Sequence, residues 1–546
     1  MYLESGNKVI HISPGPVDSR CGTLETVSAD AVTVETTFGP VRGSRDADVD
    51  VWRGIPFAAP PVGPLRWRRA RDPQPWTQPR DATGFGPVCP QPTMPVIDLG
   101  PGTTSDEDCL YLNIWSPAGA AAEGERRPVL VWLHGGAYIC GSGSQPLYDG
   151  TALVRASLDE ELPAVVVTLN YRMGALGFAH FGDLTGAEAA FDANCGLSDV
   201  VQALRWVRAN IERFGGDPDR VTVFGESAGG GLVTTLLAVP AAEGLFARAI
   251  AQSSPATSIY DHERGVRHTE LLLSELHAPE GATAEQLRGL PVAALVTAST
   301  RVFNDVPIRY PGTIAYAPVV DGDLVPRDPV EAIQAGDAHD VPLMIGTNRD
   351  ETSLFKWMKA PLMPVTQEQV GAMFDLIAQE QPELAIPPED QVSGAYRGRS
   401  SAKSMGISRD LAFRMPALWI AEAHSRRAPV HLYRYDWATP LFRVLGIGAT
   451  HATELPYVWG NPASTKLDIS YRLGGRKTGA KVRRRMQQRW LGFAAGGDPV
   501  ADSPALWQPY TTDGQHSLLI GAEDTAVTEL DRNLLRAWGS DVLSFR

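Results

Sequence analysis

The sequence predicts an α/β protein: a large, mostly parallel central sheet flanked by helices. Three observations predict it. The runs Val129–Leu133 (VLVWL), Ala164–Leu169 (AVVVTL) and Val221–Phe224 (VTVF) are short, continuous and rich in β-branched residues, as strands buried on both faces are. Between the second and third runs, Leu197, Val200, Leu204, Val207, Ile211 and Phe214 recur at three- and four-residue steps, the apolar stripe of an amphipathic helix. Strand, helix and strand in that order form the βαβ unit of a parallel sheet.

The other elements follow along the chain. Residues 1–30 read as a polar, poorly patterned extension, and 31–546 as one domain. Length alone suggests roughly three or four domains, but large α/β enzymes often keep one continuous core. From Ala31 the segment AVTVETTFGPVRG alternates apolar and polar residues up to a glycine turn, a strand signal. Asn194 or Ser198 is expected to cap the amphipathic helix and Gly215-Gly216 to stop it. Arg248–Gln252, Pro342–Ile345 and Val430–Tyr435 are further strands, and about 255–310 and 353–425 are helical insertions.

Composition narrows the function classes. The 546 residues are 43% hydrophobic and 21% charged, an ordinary globular balance. A net charge of −14 disfavours nucleic acid and anionic membranes and favours a small-molecule partner. No apolar run is long enough to span a bilayer, and the N-terminal text lacks the basic-then-apolar pattern of a secretion signal, so a cytoplasmic location is expected. The abundance of Arg over Lys, with much Ala, hints at a GC-rich bacterial genome. Five cysteines (Cys21, Cys89, Cys109, Cys140 and Cys195) make neither a disulfide scaffold nor a zinc spacing. The oligomeric state is open.

Chemistry concentrates at Gly225-Glu226-Ser227-Ala228-Gly229, which follows the VTVF strand and precedes the helix candidate Gly231–Leu237. A sharp strand-to-helix turn of this kind exposes the central serine, and flanking glycines let the backbone fold tightly. The new helix also brings N–H groups and its positive dipole end to a developing oxyanion. A bare G-x-S-x-G is common by chance, so its partners carry the case.

Several longer segments match a known pattern. Phe214–Phe224 (FGGDPDRVTVF), leading into the serine turn, resembles the nucleophile signature of type-B carboxylesterases, a branch of the α/β-hydrolase fold. Glu107–Trp115 (EDCLYLNIW), Arg53–Ala58 (RGIPFA) with the text through Trp67, Trp490–Pro499 (WLGFAAGGDP) and Trp507–Tyr510 (WQPY) are similar to other segments of that family, in its order. The resemblance spans roughly residues 33–520.

It implies the site. His134-Gly135-Gly136-Ala137-Tyr138 falls where the family places its oxyanion loop, so the implied donors are Gly136, Ala137 and Ala228, with Ala137 replacing the commoner third glycine. His451, in THATELPYVW, resembles the H-x-x-E-[LI] loop and comes last, as the fold's Ser–acid–His order requires. Glu351, in IGTNRDET, is the implied acid, with Asp350 its rival. Glu226 and Ser253 are implied supporting residues, and Arg66 with Glu107 a structural ion pair. Cys89 and Cys109 match a family disulfide that closes a surface loop near the site's mouth, which would form in an oxidising environment.

These residues imply a serine carboxylesterase that needs no metal or organic cofactor. Two alternatives stand beside it: a relative specialised for a carbamate, a terephthalate monoester or a toxin ester, and a catalytically dead binding relative. The second would lack a triad member, whereas Ser227, Glu351 and His451 are all present. A cholinesterase is disfavoured, because the loop between Cys89 and Cys109 has no aromatic residue to bind choline by cation–π contact. Tyr138, Phe303, Tyr310, Phe355, Trp357, Met358, Met363, Trp437 and Phe442 are candidate pocket walls by position, with ordinary core packing the favoured alternative for any single one. The basic stretch Arg476–Arg489 reads as a solvated helix face.

Overall fold

The computed structural model describes residues 31–182, 184, 190–358, 360–461, 467–499, 507–539 and 541–545, so the N-terminal extension and Cys21 lie outside the described residues. A thirteen-stranded sheet runs through it. Its strands are β1 (Ala31–Glu35), β2 (Pro40–Asp46), β3 (Val49–Pro56), β4 (Arg80–Asp81), β5 (Tyr111–Pro117), β6 (Arg127–Leu133) and β7 (Val165–Leu169). There follow β8 (Gly216–Glu226), β9 (Arg248–Gln252), β10 (Leu343–Asn348), β11 (Val430–Tyr435), β12 (Ser517–Ile520) and β13 (Thr525–Val527). The order is β1-β2-β3-β5-β7-β6-β8-β9-β10-β11-β12-β13, with β4 paired to β2. From β7 to β12 every pairing is parallel, while β1, β2, β3 and β5 at one edge and β13 at the other pair antiparallel. The text from Ala31 that reads as one strand is a hairpin, β1 and β2, reversing around Thr36–Gly39.

The apolar runs sort side chains to opposite faces with the strand period of two. Val129, Val131 and Leu133 of β6 join one core, and Leu130 and Trp132 the other. In β8, Val221 and Val223 face the first core and Phe224 the second. The helices Cys195–Asn210, Ala228–Leu236 and Met415–His424 cover the first face. Arg476–Gly496 and Thr151–Asp159 cover the second. Each fully buried aliphatic side chain contributes about 1.5–3 kcal/mol, so a strand with a polar face could not hold this position.

Some local expectations change. Asn194 does precede the helix Cys195–Asn210, but its side chain makes no cap. Its amide instead donates to the Val319 carbonyl and Asp321 and accepts from the Val319 N–H, pinning a distant loop. The helix stops as predicted, through a short 3-10 turn to Gly215 at φ 82°. Both insertions are helical, with His262–Glu275 and Val292–Arg309 in the first and Gln367–Glu380 and Ser400–Arg409 in the second. Arg264, fully buried, ties the first insertion to Glu380 of the second. The basic stretch lies on the helix Arg476–Gly496 and is partly engaged: Arg484 pairs with Glu160, and Arg485 and the buried Arg489 with Asp524. Among the described residues, no helix is long and apolar enough to cross a membrane.

Candidate active site

The site forms where β8, β9 and β10 end side by side and the His451 loop crosses them. β8 runs directly into the helix Ala228–Leu236, and Ser227, the hinge between them, adopts φ 56°, ψ −125°. A non-glycine residue pays steric strain there, and the strain is held by neighbours: Ser227 N–H donates to the Gln252 carbonyl at 3.0 Å and the Gly231 N–H donates to the Ser227 carbonyl at 2.8 Å. The turn also demands close backbone approach. A Cβ on Gly229 would stand 1.9 Å from the Leu133 carbonyl oxygen.

The loop after β6 lies against this turn, since a Cβ on Gly135 would sit 3.1 Å from Ser227 Cβ and 2.9 Å from a Glu226 carboxylate oxygen. Gly136 (φ 121°) and Ala137 (φ 52°) carry the backbone past the serine, and neither amide donates to an acceptor among the described residues. Ala228 is the first residue of the following helix, so its N–H also lacks an intrahelical acceptor. His134 plays another part. Its Nδ1 donates to the Gly135 carbonyl at 2.9 Å, its ring stacks on Tyr171, and burial lowers its pKa to about 4.

Carboxylates surround His451. Nδ1 donates to Glu351 Oε2 at 2.7 Å, and Nε2 lies 3.1 Å from Glu226 Oε1, an ion-pair distance off the line of a hydrogen bond. Ser227 Oγ makes no hydrogen bond to His451 or to any other described residue. Glu351 is fully buried and saturated with donors, for its Oε1 accepts from Ser253 Oγ at 2.6 Å and from the Asn348 N–H at 2.7 Å. Its rival Asp350 turns outward to Arg349 and the Ala449 N–H.

A third buried carboxylate, Glu454, accepts from Gln252 Nε2 at 3.1 Å and Asn348 Nδ2 at 2.6 Å. Burial raises its pKa. Burial also raises Glu226, to about 8, with Glu454 and Glu351 adding to the rise and His451 opposing it. For His451 burial works against the cation, yet Glu226, Glu351 and Glu454 outweigh it and lift the imidazole to about 9. Both directions mean that the His451–Glu226 pair retains protons beyond the ordinary range and releases them in coupled steps.

Phe413 and Phe355 pack on the imidazole, with ring centroids 4.9 and 5.4 Å away. Of the candidate walls, Phe355 is therefore at the site, but Trp437 and Phe442 belong to the core on the opposite face of the sheet and Trp357 is 72% exposed. Phe413, Asn348, Gln252 and Glu454 escaped the sequence reading of the site, although Glu454 and Asn348 stand inside the very motifs that carry His451 and Glu351. Arg66 and Glu107 do pair, with Nη2–Oε2 at 2.5 Å. Cys89 and Cys109 are buried free thiols in contact at the two ends of the segment 90–108, and the Cys109 thiol is pushed up by its hydrogen bond with Cys89 and by burial.

Residues 30–538 match the Carboxylesterase family. The chain belongs to that family. The para-nitrobenzyl esterase of Bacillus subtilis is 35% identical to it over 90% of this chain and 95% of its own. An acylcarnitine hydrolase of Mus musculus is likewise 35% identical, over 88% and 86%. A carboxylesterase structure from Geobacillus stearothermophilus superposes with a TM-score of 0.78 at 36% identity, covering 93% of this chain and 100% of that one. The fold is the α/β-hydrolase fold, and this esterase hydrolyses carboxylic esters.

Proposed function

We propose that the esterase acts on esters of small to medium size through an acyl-enzyme on Ser227, with His451 as proton carrier and Glu351 as the carboxylate that orients it. The observation that carries this reading is the 2.7 Å bond from His451 Nδ1 to Glu351, which leaves Nε2 free of that carboxylate and 3.1 Å from Glu226, the residue before the strained serine. Nδ1 donates, so Nε2 is the basic nitrogen in the neutral ring. It takes the Ser227 proton as Oγ attacks the carbonyl carbon. The N–H groups of Gly136, Ala137 and Ala228 receive the oxyanion. His451 then gives the proton to the departing alcohol, and water repeats the cycle on the acyl-enzyme.

Ser253 and Asn348 hold Glu351 in place, and Glu226 tunes the imidazole's affinity for its proton. Residues 31–546 act as one catalytic domain, because a single sheet carries every group named. Ser227→Ala, His451→Ala and Glu351→Gln should each lower kcat by about a thousandfold or more on an aryl ester. Substantial turnover by Ser227→Ala would end the proposal. A panel of aryl and alkyl esters, a carbamate and a terephthalate monoester then fixes the acyl and alcohol range.

A further inference from the structure

We propose that Cys140 is a positioning residue for the oxyanion hole: its thiol donates to the Gly136 carbonyl and so fixes the direction of the Ala137 N–H. The inference rests on the assignment of Ala137 as an oxyanion donor. The Gly136 carbonyl and the Ala137 N–H belong to one planar trans peptide and point in opposite directions. Whatever holds the carbonyl therefore aims the amide.

Three donors hold it. The Ile139 and Cys140 N–H groups each reach the Gly136 oxygen at 3.1 Å, and Cys140 Sγ reaches it at 3.3 Å. Two of the three come from Cys140, which also closes the loop from the other side: a Cβ on Gly136 would fall 1.9 Å from the Cys140 carbonyl oxygen. The loop is anchored beyond it, for Gln91 accepts from the Gly141 N–H at 2.7 Å and donates to the Gly141 carbonyl at 2.9 Å. Cys140 is 4% exposed, and burial pushes its thiol up to about 12, so it stays a neutral S–H donor across any working pH. The proposed cycle assigns it no proton transfer and no bond to substrate.

The isosteric pair Cys140→Thr and Cys140→Val tests this, since the two differ by a hydroxyl donor against a methyl. Removing a whole oxyanion donor lowers kcat by about a hundredfold to a thousandfold, and loosening one that keeps two of its three tethers should cost about three- to tenfold. The Val variant should show that loss in kcat at unchanged KM. It should also bind an aryl trifluoromethyl ketone, which forms an oxyanion on the serine, more weakly by the same factor. The Thr variant should return within twofold of the parent on both readouts at a Tm equal to that of Val. Thr and Val variants equal in kcat and in ketone affinity, or a loss confined to KM, would overturn the role. Ser227→Ala in the same assay separates the two levels: surviving turnover there removes the site assignment itself, whereas a dead Ser227→Ala beside equal Thr and Val variants removes only the Cys140 role.

Discussion

Glu226→Gln should move the acid limb of the kcat/KM profile to lower pH by about one unit. The protonated imidazole cannot accept the Ser227 proton, so activity rises with pH as His451 deprotonates, a step that Glu226, Glu351 and Glu454 push above the ordinary imidazole range against the opposing effect of burial. Glu226 Oε1 stands 3.1 Å from His451 Nε2. Two unit charges about 4 Å apart interact by about 4 kcal/mol at an effective dielectric of about 20, equivalent to about three pH units. That figure is a ceiling here, because burial also raises Glu226, so its carboxylate holds its proton further up the pH range and exerts its full charge over only part of it. Glu351 and Glu454 still favour the cation in the variant. A net displacement of about one unit remains. The assay is kcat/KM for a pH-insensitive aryl ester between pH 5.5 and 10 at constant ionic strength. The reasoning fails if the limb stays within about 0.3 unit of the parent or moves upward.

Two structural predictions accompany it. Ser253→Ala deletes a 2.6 Å hydrogen bond to the fully buried Glu351 carboxylate. Bonds to charged groups are worth about 1.5–3 kcal/mol, so urea unfolding should report a loss of that size and kcat should fall roughly tenfold; an unchanged protein would make the contact idle. Gly229→Ala would drive a methyl to 1.9 Å from the Leu133 carbonyl. Backbone meets backbone there, so soluble yield should collapse or Tm fall by more than about 8 °C; a variant of parental Tm would contradict the packing.

How legible the molecule was in its sequence depends on the range of each signal. The strands β6, β7 and β8 were plain because burial on both faces requires continuous β-branched text, and β9 and β11 fall on the predicted residues although each holds a single β-branched residue. Asn194 misled as a cap because a contact 125 residues away, at Val319, took its amide. Trp437 and Phe442 pack with the core, the ordinary role of an aromatic residue at such a position. The Gln252–Glu454–Asn348 network was hidden because its members lie on β9, β10 and the His451 loop, over one to two hundred residues apart. Ser227, Glu351 and His451 were readable only through the longer motifs around them, and neither the serine's strain nor the three buried carboxylates around the imidazole leave any mark in composition.

The central claim is that Ser227 is the nucleophile, and active-site titration with a fluorophosphonate, read by intact mass and peptide mapping, tests it most directly. The account predicts one adduct per chain, on the peptide carrying Ser227, with loss of esterase activity in proportion. Ser227→Ala should take up none. An adduct on another residue that tracks the loss of activity, or labelling of Ser227→Ala to the same extent, would contradict it.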